Sequence, residues 1–369
     1  MRGRRRTLGP LRVGRFRSVL YLDSIGPAKM KTISVVTPCY NEESNVAEVY
    51  ERVKSVLEPL VQFRYEHIFI DNASRDNTLG VLRLLAGQDK RVKVIVNSRN
   101  FGHLRSPMHA MFQATGDAVI LLFSDLQDPP ELLGQMIQLW EDGTPVVLAI
   151  KETSDENGLM FWLRSKYYQL LTRLAHLETY ENFTGFGLYD RQVIEIVRSF
   201  DDAYPYFRGM IAEIGFPHAK LIYNQKRRLR GITKNNFYTL YDLAMLGITN
   251  FSKVPLRILT FLGFACSLLS IFFSLAYFFY KLLFWNRFSV GIAPLVIGIF
   301  FFGSVQLLFI GILGEYIGAI HTQVLKRPLV TERERINFDA DWAVRSSAPR
   351  PQFGILQDSS RILQKDVGN

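Results

Sequence analysis

Two stretches of this chain contain no charged residue: Ile258 to Tyr280 and Phe288 to Gly314. Each exceeds the ~20 residues that an α-helix needs to cross a ~30 Å hydrocarbon core, and helices of soluble cores rarely stay charge-free for so long. The pair predicts two transmembrane helices, at about 258–280 and 290–314. The connection from Lys281 to Arg287, with Trp285 in it, is tight enough to make them a hairpin, so both termini lie on one side. Lys253 and Arg257 precede the first run and Lys326 and Arg327 follow the second, against Lys281 and Arg287 between them. That basic bias places the large N-terminal part, with both termini, on the cytoplasmic face of a cell inner membrane. Gly298, Gly303, Gly311, Gly314 and Gly318 permit close helix approach. They predict a homo-oligomer, with a tetramer among the options.

The rest of the chain has a different pattern. From Lys31 onward, short β-branched runs alternate with helical stretches: Ile33 to Thr37, then a helix over Glu42 to Leu60, then Tyr65 to Ile70 and a helix after Asn77. Val92 to Asn97, a helix over Met108 to Thr115, Ala118 to Phe123 and Pro145 to Ala149 continue the series. This spacing implies βαβ units and an α/β fold with a mostly parallel sheet covered on both faces. Residues 30–235 then form the catalytic domain, 236–253 an interfacial amphipathic helix, 254–320 the transmembrane hairpin and 321–369 a charged, extended cytoplasmic tail. Gly158 to His176 is also amphipathic, and either covers the sheet or lies in the membrane interface. Residues 1–29 carry Arg2, Arg4, Arg5, Arg6, Arg12, Arg15 and Arg17 and no apolar core of signal-peptide length. They form a disordered basic arm, or precede a biological start at Met30.

The net charge of +10 suits a body held against anionic lipid. Without an aromatic-interleaved basic strand or a zinc spacing, it gives no support to nucleic-acid binding. Cys39 and Cys266 lie far apart, so neither a disulfide framework nor a redox pair is implied. His103 and His109 have no ligand spacing and read as loop and helix residues.

Three strand ends carry residues capable of chemistry. Ser124-Asp125-Leu126-Gln127-Asp128-Pro129-Pro130-Glu131 follows an apolar run, and open α/β sheets bind ligands at the carboxyl ends of their strands. Asp125, Gln127 and Asp128 are hard oxygen ligands suited to Mg²⁺ or Mn²⁺ on a diphosphate, although Asp-Pro clusters are also ordinary turns. In Thr37 to Glu43, Tyr40 could stack on a base while Asn41 and the loop's N–H groups hold a ribose or phosphate; alternatively Asn41 is a helix cap. In Asp71 to Thr78, Asp71 could accept from a base or ribose, with Ser74 and Asp76 shaping the loop. A capping cluster explains those residues almost as well.

Together with Ser98-Arg99-Asn100-Phe101-Gly102-His103, Phe207-Arg208-Gly209 and Arg230-Gly231-Ile232-Thr233-Lys234, these motifs resemble the family 2 glycosyltransferases. The likeness is greatest to the polyprenyl-phosphate group, which includes dolichol-phosphate mannose synthases and bactoprenol glucosyltransferases. It spans about Thr32 to Arg327 and implies a Rossmann-like domain of the GT-A type. By that resemblance, Pro38, Tyr40, Asn41, Glu42, Asp71 and Ser74 bind the nucleotide, and Asp125 and Gln127 hold Mg²⁺ or Mn²⁺. The acceptor phosphate falls to Arg208, Arg227, Arg228, Arg230 and Lys234, with Asp125, Arg208 and Lys234 catalytic. Lys226 to Arg230 could equally be a solvated basic patch. Relatives often read Asp-Ala-Asp where this chain has Phe123-Ser124-Asp125, and carry an arginine in the loop that here reads Thr184 to Arg191.

The expected activity is inverting transfer of a sugar from a UDP- or GDP-sugar to undecaprenyl or another polyprenyl phosphate. A processive polysaccharide synthase would need a Gln-x-x-Arg-Trp motif and more spans, and the chain has neither. The missing first carboxylate leaves one other alternative: a catalytically weakened relative serving as a binding or scaffold subunit of an envelope-glycan complex.

Overall fold

The computed structural model describes residues 30–152, 182–225, 245, 247–249, 252–284 and 292–338. Its centre is an eight-stranded sheet. In chain order the elements are β1 (Thr32–Cys39), α1 (Val46–Leu57), β2 (Arg64–Asp71), α2 (Thr78–Gln88), β3 (Val92–Asn97), α3 (Gly102–Gln113) and β4 (Ala118–Leu121). A 3-10 turn at Pro130–Leu132 leads into α4 (Leu133–Glu141), β5 (Val146–Lys151), β6 (Phe183–Asp190), α5 (Arg191–Ser199), α6 (Phe207–Ile214) and β7 (His218–Tyr223). Two long helices, α7 (Val254–Leu283) and α8 (Ile292–Val324), precede the last strand, β8 (Glu332–Ile336).

The strand order is β7-β5-β6-β4-β1-β2-β3-β8. β1 pairs parallel with both β2 and β4, β2 with β3, and β5 with β7. β6 runs antiparallel to β4 and β5, and β8 antiparallel to β3. The chain leaves β1 toward β2 on one side and returns to β4 on the other. The strand order therefore reverses between β1 and β4, and such a switch point opens a crevice at the carboxyl edge.

Alternation within each strand builds a core on both faces. Val36, Ile68 and Ile70 pack with Met108 and Met111 of α3, Val193 and Ile194 of α5, and Met210 of α6. Ile33 and Val35 point the other way, onto Val49 and Val53 of α1 and Leu133 and Met136 of α4. Phe69 joins Leu82 and Ala86 of α2. Full burial of such side chains contributes roughly 1.5–3 kcal/mol each, so the strand-end loops rest on a rigid platform. Strand pairing forces a close approach at Gly187 on β6, where an added Cβ would lie 2.5 Å from the Val147 carbonyl oxygen of β5. Gly187→Ala is expected to destabilise the protein by about 1–3 kcal/mol. An unchanged melting temperature would show that β5 and β6 can separate at no cost.

Several boundaries differ from the sequence expectation. Helix α1 begins at Val46 rather than Glu42, because Asn41 is left-handed (φ 56°) and the Asn45 and Val46 N–H groups close a turn onto the Glu42 carbonyl. Helix α3 starts at Gly102, ahead of Pro107, rather than at Met108. The segment after Pro328 is not a free tail, since Glu332–Ile336 forms the sheet's edge. That edge is fastened by Arg83 to Glu334 (2.6 Å) and by Asn337 Nδ2 to the Ala86 and Val92 carbonyls (2.7 and 2.8 Å).

Helices α7 and α8 contain two spans long and apolar enough to cross a membrane, Val254–Tyr280 and Gly298–Val324. The second reaches ten residues beyond the expected Gly314. Their large side chains, such as Phe261, Phe272, Leu307 and Ile310, point outward. The Tyr316 hydroxyl of α8 donates to the Ser252 carbonyl just ahead of α7 (2.8 Å), and near the end of α8 Gln323 reaches the sheet domain by donating to Asp202. The segments 158–176 and most of 236–253, expected to be amphipathic, lie outside the described residues, as does the extension 1–29.

Candidate active site

At the ends of β2, β1 and β4, three neighbouring strands, each loop contains a non-glycine residue in the left-handed region: Ala73 (φ 60°), Asn41 (φ 56°) and Leu126 (φ 57°). Such conformations cost on the order of 1–3 kcal/mol each and persist where surrounding structure imposes them, often at functional sites. The bonds that impose them are visible here. The Asn41 N–H donates to Ser74 Oγ (2.9 Å), and Asn41 Oδ1 accepts from the Arg75 N–H (2.7 Å). The Glu42 N–H donates to Thr78 Oγ1 (2.8 Å), while a Glu42 carboxylate oxygen accepts from Asn45 Nδ2 (2.6 Å). Asn41, Glu42 and Ser74 thus lock the first two loops together, and Asn41 is not a helix cap. Pro38 and Tyr40 flank the crevice, both half-buried, and the Pro38 carbonyl accepts from Ser124 Oγ (2.9 Å) across the switch point.

Asp71 ends β2 and is buried, with one carboxylate oxygen accepting from the Ser74 N–H (3.2 Å) and the other unpartnered. Burial, with Asp76 nearby, pushes its carboxyl above the ordinary range. A buried acceptor left open at the lip of a crevice is suited to a ligand N–H or O–H. Asp71→Asn is expected to lower nucleoside diphosphate affinity roughly tenfold, the scale of one hydrogen bond to a charged group. The melting temperature should hold, because the carboxylate is already disfavoured there. Calorimetric titration with UDP and GDP, beside a melt, measures both; undiminished affinity for each nucleotide would exclude Asp71 from the site.

In the loop after β4, Leu126 is buried in the α1–α4 core, leaving its neighbours Asp125 and Gln127 half-exposed on either side. The Gln127 N–H donates to Asp125 Oδ1 (3.2 Å) and closes the turn. Asp128 belongs elsewhere: it is buried and accepts from the Tyr223 hydroxyl of β7, and burial pushes it up to about 6. Its carboxylate is thus engaged within the fold, which leaves Asp125 and Gln127 as the candidate metal ligands of this loop. Phe123, two residues before Asp125, is partly buried and packs against the core on the α3–α6 face. Among the described residues, no group of three or more His, Cys, Asp or Glu side chains converges. One carboxylate plus an amide still fits Mg²⁺ or Mn²⁺, since Mg²⁺ is commonly held by one or two carboxylates with substrate phosphates and water.

Arg208 lies in the first turn of α6, where it donates to the Phe183 carbonyl (3.0 Å) and sits 5.4 Å over the Tyr206 ring. Its charge, after burial, helps hold the His103 imidazole below its ordinary range. Arg227, Arg228, Arg230 and Lys234 lie outside the described residues. The sequence reading missed Asn72. Its side chain receives the Asn97 amide (3.0 Å) and the Phe101 N–H (2.9 Å), and donates to Asn100 Oδ1 (2.9 Å), tying the β3 loop to the site. The asparagines at the ends of adjacent apolar runs were its available signal.

Residues 34–197 match the model of Glycosyl transferase family 2. A glycosyltransferase of Synechocystis is 32% identical over 298 residues, covering 80% of this chain and 93% of its own. The chain belongs to glycosyl transferase family 2. The SfII prophage-derived bactoprenol glucosyl transferase of Shigella flexneri is 33% identical to this transferase, over 80% of this chain and 96% of its own. Among solved structures, a mannosyltransferase from Pyrobaculum calidifontis in complex with GDP-Man and Mn²⁺ is similar to it at 14% identity. The match has a TM-score of 0.41 and covers 82% of this chain and 89% of that one. Two cavities, of about 460 and 550 Å³, are lined by none of the Asn41, Asp71 or Asp125 loop residues. They lie between the α5–α6 region and the far end of α8, beside Met210, Lys326 and Tyr316.

Proposed function

We propose that this transferase moves a sugar from a UDP- or GDP-sugar to undecaprenyl or another polyprenyl phosphate, at the cytoplasmic face of a cell inner membrane. The observation that carries this reading is the convergence of the Asn41, Ala73 and Leu126 loops at one sheet edge, within a chain that also has two membrane-length helices. The bactoprenol glucosyl transferase among its relatives supports the lipid acceptor. Residues 30–235 act as the catalytic domain, 236–253 as an interfacial helix, and 254–320 as the membrane hairpin of a homo-oligomer.

In the proposed reaction an acceptor phosphate oxygen attacks the anomeric carbon as the bond to the donor's diphosphate breaks. One displacement inverts the configuration. The acceptor is already an anion near neutral pH and needs no strong base, so positioning and charge neutralisation supply most of the rate. A Mg²⁺ or Mn²⁺ ion, when bound, supplies stabilisation of the departing diphosphate. Asp125 and Gln127 would hold it, Asp71 orients the nucleoside, and Tyr40 with Pro38 walls the crevice. Asn41, Glu42 and Ser74 serve the nucleotide by fixing these loops, and Arg208, with Lys234 and Arg227, Arg228 and Arg230, faces the acceptor phosphate.

The test incubates the purified full chain with labelled UDP- and GDP-sugars, polyprenyl phosphate and Mg²⁺ or Mn²⁺. A lipid-linked sugar is expected in at least one pairing. Folded protein that yields none in any pairing would sink the reading and favour a scaffold role.

A further inference from the structure

We infer that Arg99, Arg105 and Arg327 form a receiving site for the phosphate of a membrane lipid, between the nucleotide crevice and the exit of the second membrane helix. Under the proposed function that lipid is the acceptor, so its identity rests on that reading. Three separate elements bring the arginines together. Arg99 follows β3 and lies 4.1 Å from the Phe101 ring centre; Arg105, in α3, lies 5.5 Å from the same ring. Arg105 also donates to the Pro328 carbonyl, next to Arg327. Left-handed Lys326 (φ 45°) follows the end of α8, and the chain beyond it reaches the end of β3, where the Ser98 N–H donates to the Thr331 carbonyl (2.9 Å).

Their partners set these cations apart from the arginines that the fold uses in ion pairs. Arg52, Arg83, Arg91, Arg191, Arg198 and Arg335 each pair with a carboxylate. Among the described ion pairs, none involves Arg99, Arg105 or Arg327, and the buried Nε of Arg105 has no acceptor. Burial and the neighbouring charges of Arg99 and Arg327 disfavour the Arg105 cation, partly offset by the Tyr204 hydroxyl. Arg99 and Arg327, both within electrostatic range of Arg105 and outside the described ion pairs, make a cluster matched by a dianionic or monoanionic phosphate, which takes paired N–H donors. The Asn72 bridge joins the same loop to the Asp71 crevice, so a phosphate arriving here from the membrane lies beside the donor site.

The experiment uses the full chain in nanodiscs or detergent, with Arg99→Gln/Arg327→Gln as the main variant. The single variant Arg327→Glu leaves the Arg105–Pro328 bond in place and guards against misfolding. Three probes are titrated: phosphatidylcholine vesicles containing polyprenyl monophosphate, the same vesicles with phosphatidylglycerol instead, and inorganic phosphate with UDP in solution. Polyprenyl phosphate binding is expected to weaken roughly tenfold or more, the range for losing charged hydrogen bonds, with UDP affinity unchanged. Equal weakening toward phosphatidylglycerol would keep the lipid-phosphate site but remove its assignment to the acceptor. Weakening confined to UDP or inorganic phosphate would overturn the inference, because the cluster would then serve the donor; so would unchanged lipid binding by folded variants. If wild type makes no lipid-linked sugar yet shows the charge-dependent lipid binding, the proposed function fails while this site stands.

Discussion

Asp125→Asn is expected to lower sugar transfer by about 10²–10³-fold while leaving the protein folded, the scale of removing one preorganised stabiliser of transition-state charge. The local geometry separates catalysis from structure at this position. Asp125 is half-exposed, and its one described bond, from the Gln127 N–H at 3.2 Å, can equally be accepted by an asparagine oxygen. The turn is held by Leu126, buried in the α1–α4 core, and by Ser124 on the Pro38 carbonyl. With Phe123 packed against the core and Asp128 bound to Tyr223, the described loop offers no second carboxylate beside Asp125 to take over. Asp128→Asn is the internal comparison: an amide oxygen still accepts from the Tyr223 hydroxyl, so transfer should fall far less. Initial rates at saturating metal, alongside thermal melts, decide the matter. Asp125→Asn protein that keeps most of its transfer rate would remove Asp125 from the chemistry.

Much of this site was legible because its signals are local. The β-branched runs of β1 to β4 end in polar clusters, and parallel order then brings those ends to one edge without further information. Other strands escaped notice for definite reasons. β6 contains Gly185 and Gly187, which weaken a strand pattern, yet Gly187 is required where β5 approaches. β8 reads Glu-Arg-Glu-Arg-Ile, a solvated tail by composition, and becomes a strand only because β3 offers an unpaired edge. Side-chain partners across loops were equally hidden: nothing in the order of residues tells that Asn41 binds the β2 loop or that Asp128 turns to β7. The proposed arginine site is the extreme case, since Arg105 reaches Pro328 only after the chain has passed through both long helices.

Lys93→Met is expected to destabilise the domain by about 3–5 kcal/mol at neutral pH, the cost of leaving a buried charge uncompensated. Glu66 on β2 is buried beneath the sheet's amino-terminal edge. One of its oxygens accepts from Ser34 Oγ (2.6 Å), the Thr115 N–H (2.7 Å) and Thr115 Oγ1 (2.9 Å), and the other from Lys93 Nζ (2.6 Å). Burial pushes the carboxyl upward, but the Lys93 ammonium and these bonds outweigh it and hold it below its ordinary value. A carboxyl depressed in the folded state stabilises above its unfolded value of about 4.3, and that contribution fades as pH falls through the folded value. Without Lys93, burial governs and Glu66 gains from protonation, so the variant's deficit should shrink as pH is lowered toward about 4. Adding Glu66→Gln to Lys93→Met removes the stranded charge while keeping the neutral bonds, and should recover most of the loss. Denaturation at pH 7 and near pH 4 measures both effects. A deficit that is the same at both pH values and unrelieved by Glu66→Gln would mean that packing of the lysine stem, and not its charge, holds this corner of the sheet together.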